Sequence, residues 1–128
     1  MSKLNRIVTQ DAPAAIGPYS QAITSGGFLF ASGQIPINPK TGNVESEEVT
    51  EQAHTVLKNV GAVLKAAGLG YSDVVKTTVF ITDMKDFAAV NAVYAEYFAE
   101  PYPARSCVQV SALPKGVKVE IEIIAKLD

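Results

Sequence analysis

A chain of 128 residues, 48% hydrophobic and 19% charged, has the composition of one globular domain over residues 1–128 and excludes disordered and fibrous classes. Its formal net charge of -2 gives nucleic acid or an anionic membrane no bulk attraction. With no stretch of membrane-spanning apolar length, no secretory core in Met1–Val8 and a single cysteine, Cys107, that cannot close an internal disulfide, the expected compartment is the cytoplasm.

Leu4 to Thr9 reads as a short edge strand, and Asp11 to Pro18 as a loop, punctuated by Pro13, Gly17 and Pro18, that delivers Tyr19. Gln21–Ser25 and Phe28–Ser32 read as strands joined through Gly26-Gly27, a pair that tolerates the positive φ of a two-residue hairpin. Ile35 to Asn43 is rich in turn residues. Ser46 is placed to cap a helix whose first turn holds Glu47 and Glu48. Val49, Ala53, Val56, Leu57, Val60, Leu64 and Ala67 recur at helical spacing, and Gly68 supplies the stop. Val74–Ile81 is a strand apolar on both faces, which predicts a central position. Asp83 is expected to cap a second helix, with the stripe Phe87, Val90, Asn91, Tyr94 and Phe98.

Two strands close the chain. In Pro101–Val110, alternation places Arg105, Cys107 and Gln109 on one face. In Val117–Ala125 it places Val117, Val119, Ile121, Ile123 and Ala125 on one face, with Glu120 and Glu122 opposite. The short connection Ser111–Gly116 allows a hairpin. With Val110 across from Val117, Cys107 would face Glu120 and Arg105 would face Glu122, gathering a guanidinium, a thiol and two carboxylates on one patch.

The element order reads as α+β. Right-handed crossovers place both helices on one side of the sheet, and Val74–Ile81 still presents apolar residues to the other. Copies of the chain are therefore expected to cover one another.

Several residues are candidates for chemistry. Arg105 offers a planar donor fork to a small carboxylate, or pairs structurally with Glu120 or Glu122. Glu120 suits a general base or a water-positioning carboxylate; the plainer alternative is a surface glutamate. A nucleophilic Cys107 needs a base, and the only histidine, His54, falls on the flank of the first helix. Without more histidines or cysteines the usual zinc ligand sets are lacking. Tyr19 after its Gly-Pro turn either presents a ring to a ligand or belongs to the core. Ser32-Gly33 ends a strand where a hydroxyl and exposed backbone can meet a ligand or simply form a turn. Asn91 interrupts an apolar stripe, and a buried amide there needs partners, in a structural contact or a pocket wall.

Pro103–Val108 (Pro-Ala-Arg-Ser-Cys-Val), Val119–Ala125 (Val-Glu-Ile-Glu-Ile-Ile-Ala), Ala15–Ala22 and Phe30–Pro36 together resemble the signatures of the Rid family, the reactive intermediate deaminases, in its RidA branch. The likeness runs in matching order through nearly the whole chain, which makes it far more specific than one short motif. It implies a chorismate mutase-like mixed sheet with two helices on one face, a homotrimer with clefts between subunits, and no cofactor or metal. It implies that Arg105 clamps a substrate carboxylate, that Glu120 is the functional carboxylate, and that Tyr19, Ser32, Gly33, Asn91 and the backbone of Cys107 line the cleft.

Such a residue set cannot readily break an unactivated bond, so the substrate must already be reactive. The resemblance implies hydrolytic deamination of enamine and imine intermediates, 2-aminoacrylate, 2-iminobutanoate and 2-iminopropanoate, to 2-oxo acids and ammonia. Two alternatives stand beside it: a ligand-binding or chaperone-like trimer without turnover, and an endoribonuclease or translation inhibitor. The acidic balance and the lack of a basic, aromatic-rich stretch argue against RNA.

Overall fold

The computed structural model describes residues 4–128. Its strands are β1 (Asn5–Ile7), β2 (Ala22–Ser25), β3 (Phe28–Gln34), β4 (Val74–Ile81), β5 (Ala104–Gln109) and β6 (Val119–Lys126), and its helices are α1 (Val49–Ala66) and α2 (Phe87–Tyr97). All six strands join one mixed sheet in the order β1-β2-β3-β6-β4-β5. The expected first hairpin forms: β2 and β3 pair antiparallel, and Gly26 and Gly27 take φ of 59° and 86°, a left-handed turn that glycine adopts without steric cost.

The last two strands do not form the expected hairpin. β5 lies parallel to β4 at the sheet edge, whereas β6 runs antiparallel between β3 and β4. Apolar content decides this arrangement. Val119, Ile121, Ile123 and Ala125 of β6 are all buried, while five of the six residues of β5 are exposed. The more apolar strand takes the centre, and the polar strand takes the edge that water can solvate. The α2 crossover then brings β5 back beside β4 in the parallel sense.

Helix α1 buries Ala53, Val56, Leu57, Val60, Val63 and Leu64, and it packs against β3, β6 and α2. Full burial of each leucine or valine stabilises the fold by roughly 1.5–3 kcal/mol. Ser46 is not its cap, since Glu48 holds that position without a side-chain bond. Instead Ser46 Oγ accepts from the Glu48 amide at 3.1 Å and donates to Glu51 Oε1 at 2.5 Å, closing a local turn before the helix begins. Gly68 ends the helix as expected: its φ is 76°, and the amides of Gly68 and Leu69 return to the carbonyls of Lys65 and Leu64. Asp83 caps a 3-10 turn, Met84–Asp86, through the Lys85 amide at 3.0 Å, so that α2 starts only at Phe87.

Buried amides tie these layers together. Gln52 on α1 donates to Ser46 O and accepts from the Lys118 amide at 2.8 Å, while Asn59 donates to the carbonyls of Ile35 and Ile37. Among the described residues no buried side-chain polar atom lacks a partner. Both helices cover the same face of the sheet. On the other face Phe28, Phe30 and Val108 stay 40–45% exposed. Among the described residues no helix is long and apolar enough to cross a membrane.

Candidate functional site

Arg105 sits on β5 in register with Thr77 of β4, which is in register with buried Ile123 of β6. Residues in register share a face, so Arg105 points toward the helices. It lies on a seat built by α2. Its Nη1 donates to Asn91 Oδ1 at 2.5 Å, and its guanidinium carbon stands 4.9 Å from the Tyr94 ring centroid and 5.6 Å from that of Phe87. The Tyr94 hydroxyl is fixed in turn by Thr77 Oγ1 at 2.8 Å. Neutral partners and aromatic faces hold the cation in place, and among the described residues it makes no ion pair. A cavity of about 440 Å³ opens here, bounded by Asn91, Tyr94, Ala95, Tyr102, Pro103 and Arg105.

Asn91 is not the buried amide that its stripe predicts. It is exposed, and Val93 takes the core position beside Val90 and Tyr94. The stripe Phe87, Asn91, Tyr94 is thus the seat of Arg105, with the core-facing set offset from it. Gln109, third on the Arg105 face, accepts from the Met84 amide at 2.7 Å and pins β5 to the turn before α2.

The second group lies on the uncovered face. Glu120 is in register with Phe80 of β4, and Phe80 with Val108 of β5. On its other flank β3 carries a bulge: Ala31 opposes Ile123 and Gln34 opposes Ile121, leaving both Ser32 and Gly33 across from Glu122. The Glu120 carboxylate folds onto Gly33, occupying the place where any Cβ would project. Burial pushes the Glu120 carboxyl above its ordinary range, and the charge of Glu122 raises it further.

A cavity of about 890 Å³ joins Tyr19, Ser32, Gly33, Glu120 and Glu122 with Gln21 and Lys115. Ser32 is fixed by its hydroxyl bond to Ser20 O at 2.6 Å and its amide bond to Gln21 O at 2.9 Å. Gln21, only 4% exposed, clamps the loop that carries Tyr19. It accepts from the Thr9 amide at 2.8 Å and donates to the carbonyls of Thr9 and Pro13. Sequence reading passed over this glutamine. A polar residue opening a strand directly after a proline-rich loop is the signal that points to it.

The predicted single patch is therefore two half-sites. Arg105 and Cys107 face the helices while Glu120 and Glu122 face away, because β4 stands between β5 and β6 and its register puts the arginine and the glutamates on opposite sides. Neither Cys107–Glu120 nor Arg105–Glu122 is a facing pair. Burial pushes the half-buried Cys107 thiol up, with Arg105 opposing more weakly. His54 is engaged elsewhere, its Nδ1 2.8 Å from the Tyr97 hydroxyl and its Nε2 3.9 Å from Glu96. Among the described residues no cluster of three or more His, Cys, Asp or Glu is arranged to hold a metal ion.

Residues 9–127 match the family model described as Endoribonuclease L-PSP. The fold superposes on a Yersinia pestis protein described as a member of the conserved Rid protein family, with a TM-score of 0.95, 53% identity, and coverage of 98% of this chain and 100% of that one. The chain belongs to the Rid family. This Rid chain is also 56% identical over 122 residues to the 2-iminobutanoate/2-iminopropanoate deaminase of Salmonella typhimurium, covering 93% of this chain and 94% of the relative. A further solved relative is Escherichia coli TdcF with bound serine, with a TM-score of 0.91, 52% identity, and coverage of 97% and 99%.

Proposed function

We propose that this Rid protein is a hydrolytic deaminase of small reactive enamine and imine acids, acting on 2-aminoacrylate, 2-iminobutanoate and 2-iminopropanoate and releasing 2-oxo acids and ammonia. One observation carries the reading: Arg105 is oriented by an amide and two rings and has no carboxylate partner among the described residues. Its remaining donors suit the two oxygens of a substrate carboxylate. The name of the Salmonella relative supports the same substrate class.

In this mechanism Arg105 holds the carboxylate and places the adjacent C=N carbon beside Glu120, which orients water for attack. Collapse of the resulting carbinolamine expels ammonia. Tyr19, Ser32, Gly33, Asn91 and the edge-strand backbone at Cys107 form the walls. Because the two half-sites face opposite ways in one chain, each is completed by another copy. A homotrimer with clefts between subunits would meet that need, and the exposed Phe28, Phe30 and Val108 are apolar surface that such an assembly would have reason to cover.

The test is to generate 2-iminobutanoate with a threonine dehydratase and follow its loss. Wild type should accelerate hydrolysis and Arg105→Ala should not; equal acceleration by both removes the role of Arg105. Coexpressed Arg105→Ala and Glu120→Gln chains sharpen the assembly claim. Each variant alone should be nearly inactive, whereas mixed trimers hold one cleft with both native residues and should recover activity. No recovery would mean that clefts are not shared.

A further inference from the structure

The deaminase reading leaves one proton without a donor. An enamine must gain hydrogen at its carbon before water can attack the adjacent C=N bond. We propose that Glu120 is the acid that delivers this proton and that Glu122 is the positioning residue that keeps Glu120 supplied with it. The inference rests on the imine-deaminase reading above.

The geometry favours a carboxyl over a carboxylate at this place. Phe80 stands in register beside Glu120, with Val108 one strand further on the same face, and the bare backbone of Gly33 lies under the Glu120 carboxyl group. Among the described residues Glu120 makes neither an ion pair nor a side-chain hydrogen bond that would hold it ionised. Glu122 follows two residues later on the same face of β6 and borders the same cavity. Other titratable groups stand around it: Tyr19 from the preceding loop, Lys115 from the 3-10 turn Pro114–Gly116, and Lys118 just ahead of the strand. β3 and β4 add no acid in register, and in the proposed assembly Arg105 of a second copy is taken up by the substrate. Burial is the larger cause that raises the Glu120 carboxyl, and the charge of Glu122 acts in the same upward direction.

The steps balance. The C=C pair of the enamine takes the proton from the Glu120 carboxyl, forming a C–H bond and leaving an iminium ion and a carboxylate. Water then adds to the iminium carbon and gives its proton to that carboxylate, which restores the acid. The carbinolamine transfers its hydroxyl proton to nitrogen, and ammonia leaves as the carbonyl forms.

The experiment runs a threonine dehydratase with this protein in D₂O, traps the 2-oxobutanoate by reduction, and reads the stereochemistry of deuterium at C3. Protonation by solvent labels both faces equally, whereas a fixed acid labels one. Wild type should give a clear excess of one configuration, and Glu120→Gln should give none. Glu122→Gln should move the pH at which the excess falls by half downward, while Glu122→Asp should restore the wild-type profile. Accelerated imine loss with racemic label overturns the proposal and leaves the deaminase reading intact. An unshifted Glu122→Gln profile removes the role of Glu122. Absence of any acceleration by wild type overturns the deaminase reading itself.

Discussion

The seat of Arg105 and the cradle of Glu120 are built on different principles. The arginine is gripped: an amide from below, aromatic faces on its flanks, and a tyrosine locked by Thr77 behind them. The glutamate is merely given room, by the missing side chain of Gly33 and a bulge that draws the strand aside. A rigid cation suits a group that must bind the same carboxylate in every turnover. A loosely held, partly desolvated carboxyl suits one that must exchange protons. If that contrast is right, damage on the two sides should appear in different kinetic constants.

The largest effect is expected at the gripped side. Arg105→Ala removes a bidentate, charge-assisted contact and should lower kcat/KM on the order of a hundredfold or more. Arg105→Lys should recover little of that loss, since an ammonium reproduces neither the fork nor the stacking on Tyr94 and Phe87. Steady-state kinetics on enzymatically generated imine would measure both. A lysine variant near wild-type activity would show that charge alone is required.

Next comes the cradle. Gly33 has no positive φ, so alanine is tolerated by the backbone, and what it meets is the far end of the flexible Glu120 side chain. Gly33→Ala should therefore fold normally yet displace the carboxyl, and displacement of about an ångström costs up to about a hundredfold. The loss should fall on kcat, with KM little changed, opposite to the binding loss at Arg105. A matching rise in KM would show that Gly33 serves the carboxylate clamp instead.

Asn91→Ala should be milder. The rings still hold the guanidinium after the amide is lost, and one hydrogen bond to a charged group is worth about 1.5–3 kcal/mol before water replaces it. A loss of about tenfold in kcat/KM is expected, partly restored in Asn91→Gln if the longer amide reaches Nη1. The same substitution should leave stability nearly unchanged, because the side chain is exposed.

How this arrangement could be read from the chain differs between local and distant features. Alternation correctly placed Arg105, Cys107 and Gln109 on one face and Glu120 with Glu122 on one face, since that follows from strand geometry alone. The Gly26-Gly27 hairpin and the Gly68 stop were legible for the same local reason. The neighbour that β5 chooses was not legible. Its pairing with β4 depends on a competition for the sheet centre, which β6 wins through four buried apolar residues. Asn91 misled for a related reason. A helix stripe shows which residues share a side, but not whether that side meets the core or a neighbouring cation.

The smallest effect concerns stability, and it tests the cradle without any substrate. The folded-state pKa of Glu120 lies above the ordinary glutamate value, so the folded chain holds this proton more tightly than the unfolded chain. Its contribution is fully present below the ordinary glutamate range and is lost as pH rises through the raised pKa. Glu120→Gln, neutral at every pH, should therefore be more stable than wild type under alkaline conditions and lose that advantage on acidification. Glu120 is only partly buried, so solvent screening keeps the difference small. Denaturant unfolding at several pH values and fixed protein concentration would detect it. A glutamine variant less stable than wild type at high pH would mean that the carboxylate is held by a cation in the assembly, making the cradle a gripped site like that of Arg105.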